Sequence, residues 1–329
     1  MAFAKIVGTG RYVPEKILTN QDLSRILGED INEFVTQVLG INERHVCAED
    51  ESTADIATYA AREALKDAGV VAEDLDLIVL ATDTPEQLSP ATSVVVQHRL
   101  GAKNVGTFDV NCACAGFVTA LDAASKYIIS DSSYRNVLVV GAYAISKYLD
   151  WKDKKTATIF ADGAGAIVLQ SRGDGAGFLA SKLRADGSFH DHMGIYAGGT
   201  HRPITQQTLS EGYWTKVRFH KKYPAEVNTE GWPAIVREVL AKAGLRLDEV
   251  KLFLFTQVNL STIREVMAKL ELPMERTHTI MRQWGYTGSA CIPMVLDDAL
   301  KNGLARSGDN IVLCASGGGL NMACAAFRL

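Results

Sequence analysis

Apolar residues between Ser52 and Gly69 recur at helical spacing, with Ile56, Ala60, Ala64, Leu65 and Ala68 on one side. Gly69 is a residue suited to the C′ position of such a helix, and the unbroken apolar run Leu75 to Ala81 that follows reads as a strand. The same order returns later in the chain. Trp232 to Gly244 has helical spacing and again ends in Ala-Gly, and the apolar run Val250 to Phe255 comes next. The similarity extends to individual residues: Arg62-Glu-Ala-Leu-Lys-Asp-Ala-Gly69 matches Arg237-Glu-Val-Leu-Ala-Lys-Ala-Gly244, and Asn136-Val-Leu-Val-Val-Gly141 matches Asn310-Ile-Val-Leu-Cys-Ala315. Each half closes with a glycine-rich strand, Asp162 to Leu169 and Gly317 to Cys324.

Strands that alternate with helices predict βαβ units and a mainly parallel sheet covered on both faces. A repeat of that pattern predicts an α/β fold of stacked layers built from two duplicated halves, 1–172 and 173–329. A region of about 173–227 has no partner in the first half and is rich in Gly, His and aromatics, so it reads as an inserted, pocket-forming segment.

The chain has 329 residues, 47% hydrophobic and 22% charged, with a formal net charge of −4. That balance describes a globular protein and argues against a nucleic-acid partner, which requires clustered Lys and Arg. The densest basic stretch, Lys216 to Lys222, reads as a solvated face. No run of about 18 apolar residues is present to span a membrane, and the start of the chain, Met1 to Val13, is too short in its apolar run for a signal peptide. The six cysteines are scattered, without zinc-ligand spacing, and fit reduced thiols in a cytoplasmic protein with no bound metal.

One of these cysteines carries candidate chemistry. In Phe108-Asp-Val-Asn-Cys-Ala-Cys-Ala-Gly-Phe117, Cys114 stands where the strand-like run Val105 to Val110 passes into the helix-like run Phe117 to Ile129. The positive end of a helix favours a thiolate, and small neighbours let a substrate approach, so Cys114 reads as a covalent nucleophile. The other reading is a small buried residue in a tight turn. The duplication gives this turn a counterpart at Gly285-Tyr-Thr-Gly-Ser-Ala-Cys-Ile-Pro293, expected to face it across the centre of the molecule.

Gly8-Thr-Gly-Arg-Tyr-Val-Pro14, Gly40-Ile-Asn-Glu-Arg44, Cys114-Ala-Gly-Phe117, Phe160-Ala-Asp-Gly-Ala-Gly165, Asn259-Leu260 and Gly317-Gly-Gly319 follow one another in order. Through them the chain resembles the thiolase superfamily of condensing enzymes, and most closely the 3-oxoacyl-(acyl-carrier-protein) synthase III type, over essentially its whole length. The resemblance implies a layered α-β-α-β-α fold and a dimer formed by joining sheets at their edges, either a homodimer or a heterodimer with a paralogue. It also implies that Cys114 takes an acyl group from a thioester of acyl carrier protein or coenzyme A, with no permanently bound cofactor. The backbone N–H groups of Cys114 and Gly318 would form the oxyanion hole.

The chain departs from the family pattern at several positions. Thr256 stands where the family has its histidine, in Thr256-Gln-Val-Asn259, and Tyr286 stands where it has its asparagine. Those two residues ordinarily donate to the enolate formed as malonyl loses carbon dioxide, so decarboxylation is expected to be slow or absent. His201, in Gly198-Gly-Thr-His-Arg-Pro203, is the candidate substitute base. Phe34 and Lys154 stand where the family stacks adenine between Trp and Arg, which weakens the case for coenzyme A and favours a carrier protein. Tyr196, Tyr213 and Trp214 are open to lining an acyl pocket or to packing the insertion. Three functions are therefore expected: an acyltransferase with a chemically activated acceptor, a conventional decarboxylating synthase with a substitute histidine, or a non-catalytic partner of an active paralogue.

Overall fold

The structure is a computed structural model that describes residues 3–329. Met1 and Ala2, the beginning of the segment read for a leader, lie outside the described residues. The first half forms a five-stranded sheet from β1 (Phe3–Tyr12), β2 (Leu77–Ala81), β3 (Gly106–Val110), β4 (Asn136–Tyr143) and β5 (Gly163–Arg172), in the spatial order β1-β5-β4-β2-β3. The second half forms a four-stranded sheet from β6 (Gly177–Ala185), β7 (Val250–Phe255), β8 (Asn310–Gly317) and β9 (Asn321–Arg328), ordered β6-β9-β8-β7. The two orders correspond strand for strand. Where the fifth strand of the second sheet would lie, Thr277 makes a single bridge to Phe253.

The duplication expected from the sequence therefore organises both sheets, and the sheets are mixed. The expectation of mainly parallel pairing needs correcting. Only β2–β3, β2–β4 and β7–β8 run parallel. The closing strands β5 and β9 fold back antiparallel, β1 and β6 pair antiparallel with them, and the glycines of the second half, Gly317 to Gly319, lie at the end of β8 and in the turn before β9. A second correction concerns the insertion. Residues 177–185 are the sheet strand β6, the counterpart of β1, so the segment without a first-half element begins after Ala185.

Helix α1 (Thr53–Ala68) starts at a capping box, in which Ser52 and Asp55 satisfy each other's backbone N–H groups, and ends at Gly69 with φ +63°. It packs on β1, β4 and β5. Helix α3 (Glu226–Ala243) covers the outer face of the second sheet and ends at Gly244 with φ +67°. It begins six residues before the predicted start because Val227 and Thr229 extend its inner face ahead of the buried Trp232. Between the sheets lie α2 (Gly116–Ser130) and α5 (Cys291–Lys301), each touching strands of both halves. Their sandwiched position explains their composition: Phe117, Val118, Leu121, Ile292, Val295 and Leu296 are fully buried. These layers produce the α-β-α-β-α stack. Among the described residues, no helix is long and apolar enough to cross a membrane.

Candidate active site

Three turns meet at the N-terminal ends of the two central helices. The first leaves β3 and enters α2. Ala113 takes a left-handed φ of +47°, an unusual conformation for a residue with a side chain, and its N–H bonds Asn111 Oδ1 at 3.2 Å. Ala115 N–H returns to the Cys112 carbonyl at 3.1 Å, which closes the turn around Cys114. The second turn leads into α5. Gly285 has φ +70°, and a Cβ there would stand 2.7 Å from Ala161 Cβ. Tyr286 is thereby clamped, donating its N–H to Ile159 O at 3.1 Å and accepting from Ala161 N–H at 2.9 Å.

The third turn joins β8 to β9. A Cβ on Gly317 would lie 2.6 Å from the Cys112 carbonyl oxygen and 2.7 Å from Cys114 N, so this glycine turn rests directly on the cysteine turn. Together the turns enclose a cavity of about 480 Å³ lined by Cys114, Tyr286, Gly317 and Gly318. The expectation that the two helix-entry turns face each other is met. Cys114 and Gly318 both line this cavity.

The electrostatics correct one expectation. Cys114 is 3% exposed, and burial pushes its thiol well above the ordinary value, reinforced by the charge of Asp83. Helix α2 begins only at Gly116, and its positive end does not overcome this desolvation. The Tyr286 phenol acts in the opposite direction, since it donates toward the sulfur and favours the thiolate. Burial also keeps Tyr286 protonated, as a donor requires. Asp83, just beyond β2, is pushed up to about 6 by burial, and its Oδ1 has no hydrogen-bond partner.

The remaining sequence candidates divide. Asn259 lines the cavity, and its Oδ1 caps helix α4 (Leu260–Lys269) by accepting from Thr262 N–H at 2.7 Å. Thr256 is 1% exposed and does not line the cavity. Its Oγ1 accepts from Ser316 N–H at 3.0 Å, tying the end of β7 to the approach of the glycine turn. His201 lines a separate cavity with Tyr196 and Trp214, and among the described residues no histidine lines the cavity of Cys114. His201, Tyr196 and Trp214 thus border this second cavity and not the cavity of Cys114. Phe34 is 52% exposed, Lys154 pairs with Glu29 at 2.9 Å, and neither borders the cavity.

Sequence reasoning missed part of the wall. Phe160 stacks on Tyr286 with ring centroids 5.7 Å apart and on Phe219 at 6.5 Å. Met193 comes from the opposite strand of a short ribbon, Met193–Gly194 against Arg218–Phe219. Phe160 belongs to a recognisable motif, whereas Met193 and Phe219 carry no signal beyond their place in the insertion. Among the described residues, no three His, Cys, Asp or Glu side chains are gathered to hold a metal.

With this geometry in place, the comparisons with known proteins are specific. The family model described as 3-Oxoacyl-[acyl-carrier-protein (ACP)] synthase III matches residues 108–187, and its C-terminal companion matches residues 240–329. The chain is 38% identical over 324 residues to the beta-ketoacyl-[acyl-carrier-protein] synthase III of Aquifex aeolicus, covering 98% of this chain and 99% of that protein. The crystal structure of 3-oxoacyl-[acyl-carrier-protein] synthase III from Aquifex aeolicus superposes with a TM-score of 0.89 at 36% identity, over 99% of this chain and 100% of that one. The priming beta-ketosynthase from the R1128 polyketide biosynthetic pathway gives 0.88 at 27% identity, over 99% and 96%.

Proposed function

The chain belongs to the 3-oxoacyl-[acyl-carrier-protein] synthase III family, and from that premise we propose that it is a thioester-dependent acyltransferase whose acceptor arrives already activated. As a synthase III-like enzyme it is assigned to condensing acyl transfer. The finer reading is supported by one observation: Cys114, the glycine turn and the Tyr286 phenol line the cavity, while among the described residues no imidazole borders it.

In the first step the Cys114 sulfur attacks the thioester carbonyl. A carbon–sulfur bond forms, the carbonyl oxygen takes negative charge opposite the N–H groups of Cys114 and Gly318, and the donor leaves as a thiol that takes up the proton lost by Cys114. In the second step the acceptor attacks the acyl-enzyme carbonyl and the carbon–sulfur bond breaks; an amine or alcohol passes its own proton to the departing Cys114 sulfur, whereas a carbanion leaves a thiolate that takes its proton from water. Neither step forms an enolate by loss of carbon dioxide, the event for which the family's histidine and asparagine serve. The donor is an acyl carrier protein or coenzyme A thioester, and Phe34 and Lys154 would meet it only outside the cavity. Dimerisation with a second copy or with a paralogue, and a cytoplasmic location, form part of the same proposal.

Intact-protein mass spectrometry tests it, using acyl and malonyl thioesters of both carriers with the wild type and Cys114→Ala. The expected result is an acyl adduct on the wild type alone, with no carbon dioxide released from malonyl donors. Absence of an adduct with every donor favours the non-catalytic partner. Stoichiometric decarboxylation restores the conventional synthase.

A further inference from the structure

The ribbon that helps to close the Cys114 cavity has a second face. Phe219 lines the first cavity and His220, the next residue, lines another of about 340 Å³, as alternation along an extended segment requires. Arg202, Trp214, Tyr196, His201 and Lys221 complete much of this second wall. The volume lies within the range of small-molecule sites.

The wall is preorganised. The Arg202 guanidinium carbon lies 3.5 Å from the Trp214 ring centroid, a stacking that holds the planar group in place. Trp214 stacks in turn on His220, with centroids 5.3 Å apart and planes 20° from parallel. The Tyr213 hydroxyl meets His220 Nδ1 at 3.0 Å. With that hydroxyl donating, the imidazole proton resides on Nε2. Burial together with the charges of Arg202 and Arg218 holds His220 below its ordinary pKa, so the ring is neutral near pH 7.

Two buried polar atoms in this cluster are left without partners: the donor Arg202 NH1, and His220 Nε2, which is a donor when the Tyr213 hydroxyl donates to Nδ1. A buried donor with no acceptor costs on the order of 1–3 kcal/mol, so a folded protein normally supplies a partner. The carboxylate on this wall, Asp191, is already engaged by Lys221 and His192. The remaining formal charge is positive, and the rings of Trp214 and Tyr196 line the same cavity.

We propose that the cavity on the far side of the ribbon is a binding site for a small oxyanion, a carboxylate or phosphate. Arg202 NH1 and His220 Nε2 donate to its oxygens. The site stands apart from the sulfur and does not depend on the acyltransferase reading.

Calorimetric titration of the full chain with benzoate, inorganic phosphate and benzylamine tests this assignment. Benzoate or phosphate should bind one per chain with a Kd of about 1 mM or tighter. The arm that binds distinguishes a carboxylate from a phosphate ligand, and benzylamine, the same body with the opposite charge, should not bind. Arg202→Ala should weaken the anion by roughly tenfold or more, and His220→Phe, which retains the aromatic packing, by a similar factor. Cys114→Ala should leave binding unchanged, which separates this site from the acyl cavity. No binding by either anion, equal binding of benzylamine, or wild-type affinity in both Arg202→Ala and His220→Phe would overturn the proposal.

Discussion

Gly317→Ala and Gly318→Ala should have very different consequences, although the two glycines are adjacent in one turn. A Cβ at position 317 would meet three backbone atoms, Cys112 O at 2.6 Å, Cys114 N at 2.7 Å and Ala115 N at 2.9 Å, none of which can swing aside. Relief requires the glycine turn and the cysteine turn to part by roughly 0.5 Å, which lengthens a donor–oxygen distance from about 2.9 Å to about 3.4 Å and loses the hydrogen bond. Loss of one oxyanion donor lowers acyl transfer by about 10²–10³-fold. At position 318 the new Cβ would meet Met193 Cε at 3.4 Å and Met193 O at 3.5 Å, ordinary van der Waals contacts, and Gly318 does not hold a left-handed φ. Its N–H survives the substitution. Single-turnover acylation of Cys114, followed by intact mass, should therefore fall by about 10²–10³-fold in Gly317→Ala and by less than about tenfold in Gly318→Ala. Thermal melting and iodoacetamide labelling of Cys114 establish that each variant is folded. Near-wild-type acylation in Gly317→Ala, or equal losses in the two variants, would refute the reasoning.

Tyr286→Phe removes the phenol that favours the thiolate, a hydrogen bond to a charged acceptor worth about 1.5–3 kcal/mol, or about 10–100-fold in thiolate population. The pH profile of Cys114 alkylation should move to higher pH, and an unmoved profile counts against this contact. Asp83 is raised from 3.8 to about 6, so the native state binds its proton more readily than the unfolded chain does, and the ionised carboxylate penalises folding above about pH 6. That penalty of about 3 kcal/mol is relieved as pH falls from about 6 to about 4, so Asp83→Asn should melt higher than wild type at pH 7 and converge with it near pH 4. A gap independent of pH argues against this origin. Asp83→Asn should also speed alkylation of Cys114 by removing a nearby negative charge; slower alkylation would instead identify Asp83 as the acceptor of the thiol proton. Thr256→Val loses the acceptor of Ser316 N–H and should cost about 1–3 kcal/mol in melting experiments while acylation stays within a few-fold of wild type. Abolished acylation with unchanged melting would return Thr256 to the chemistry.

Much of the fold was legible because it is written twice. The Ala-Gly helix ends at Gly69 and Gly244 and the apolar runs after them marked equivalent layers. Antiparallel pairing of the closing strands was hidden, because alternation and burial look alike in either direction. At the site, the cysteine and glycine turns were legible as motifs, since backbone conformation there depends on Cys114-Ala-Gly and Gly-Gly-Gly locally. The direction of a side chain was not. Thr256 turns its hydroxyl to Ser316 N–H, and Phe219 and His220 face different cavities through alternation in a ribbon only two residues long per strand.

The local and global electrostatics of Cys114 explain how a desolvated thiol can serve as an acyl carrier. Helix position favours the thiolate, whereas complete burial opposes ionisation and prevails, so the thiol is held well above its ordinary value. That penalty falls on the thiolate and on no neutral species. The resting thiol and the acyl-enzyme thioester are both uncharged, so a dry cavity leaves both ends of the exchange undisturbed and raises only the charged states between them. In those states the charge passes from sulfur to the carbonyl oxygen, beside the Tyr286 phenol and then opposite the Cys114 and Gly318 N–H groups, whose hydrogen bonds strengthen in a medium of low dielectric. An imidazole would make the first ionisation easier. Without one, the proposed acylation should depend on how well these three donors are held, and so on Gly317, which packs directly on the cysteine turn.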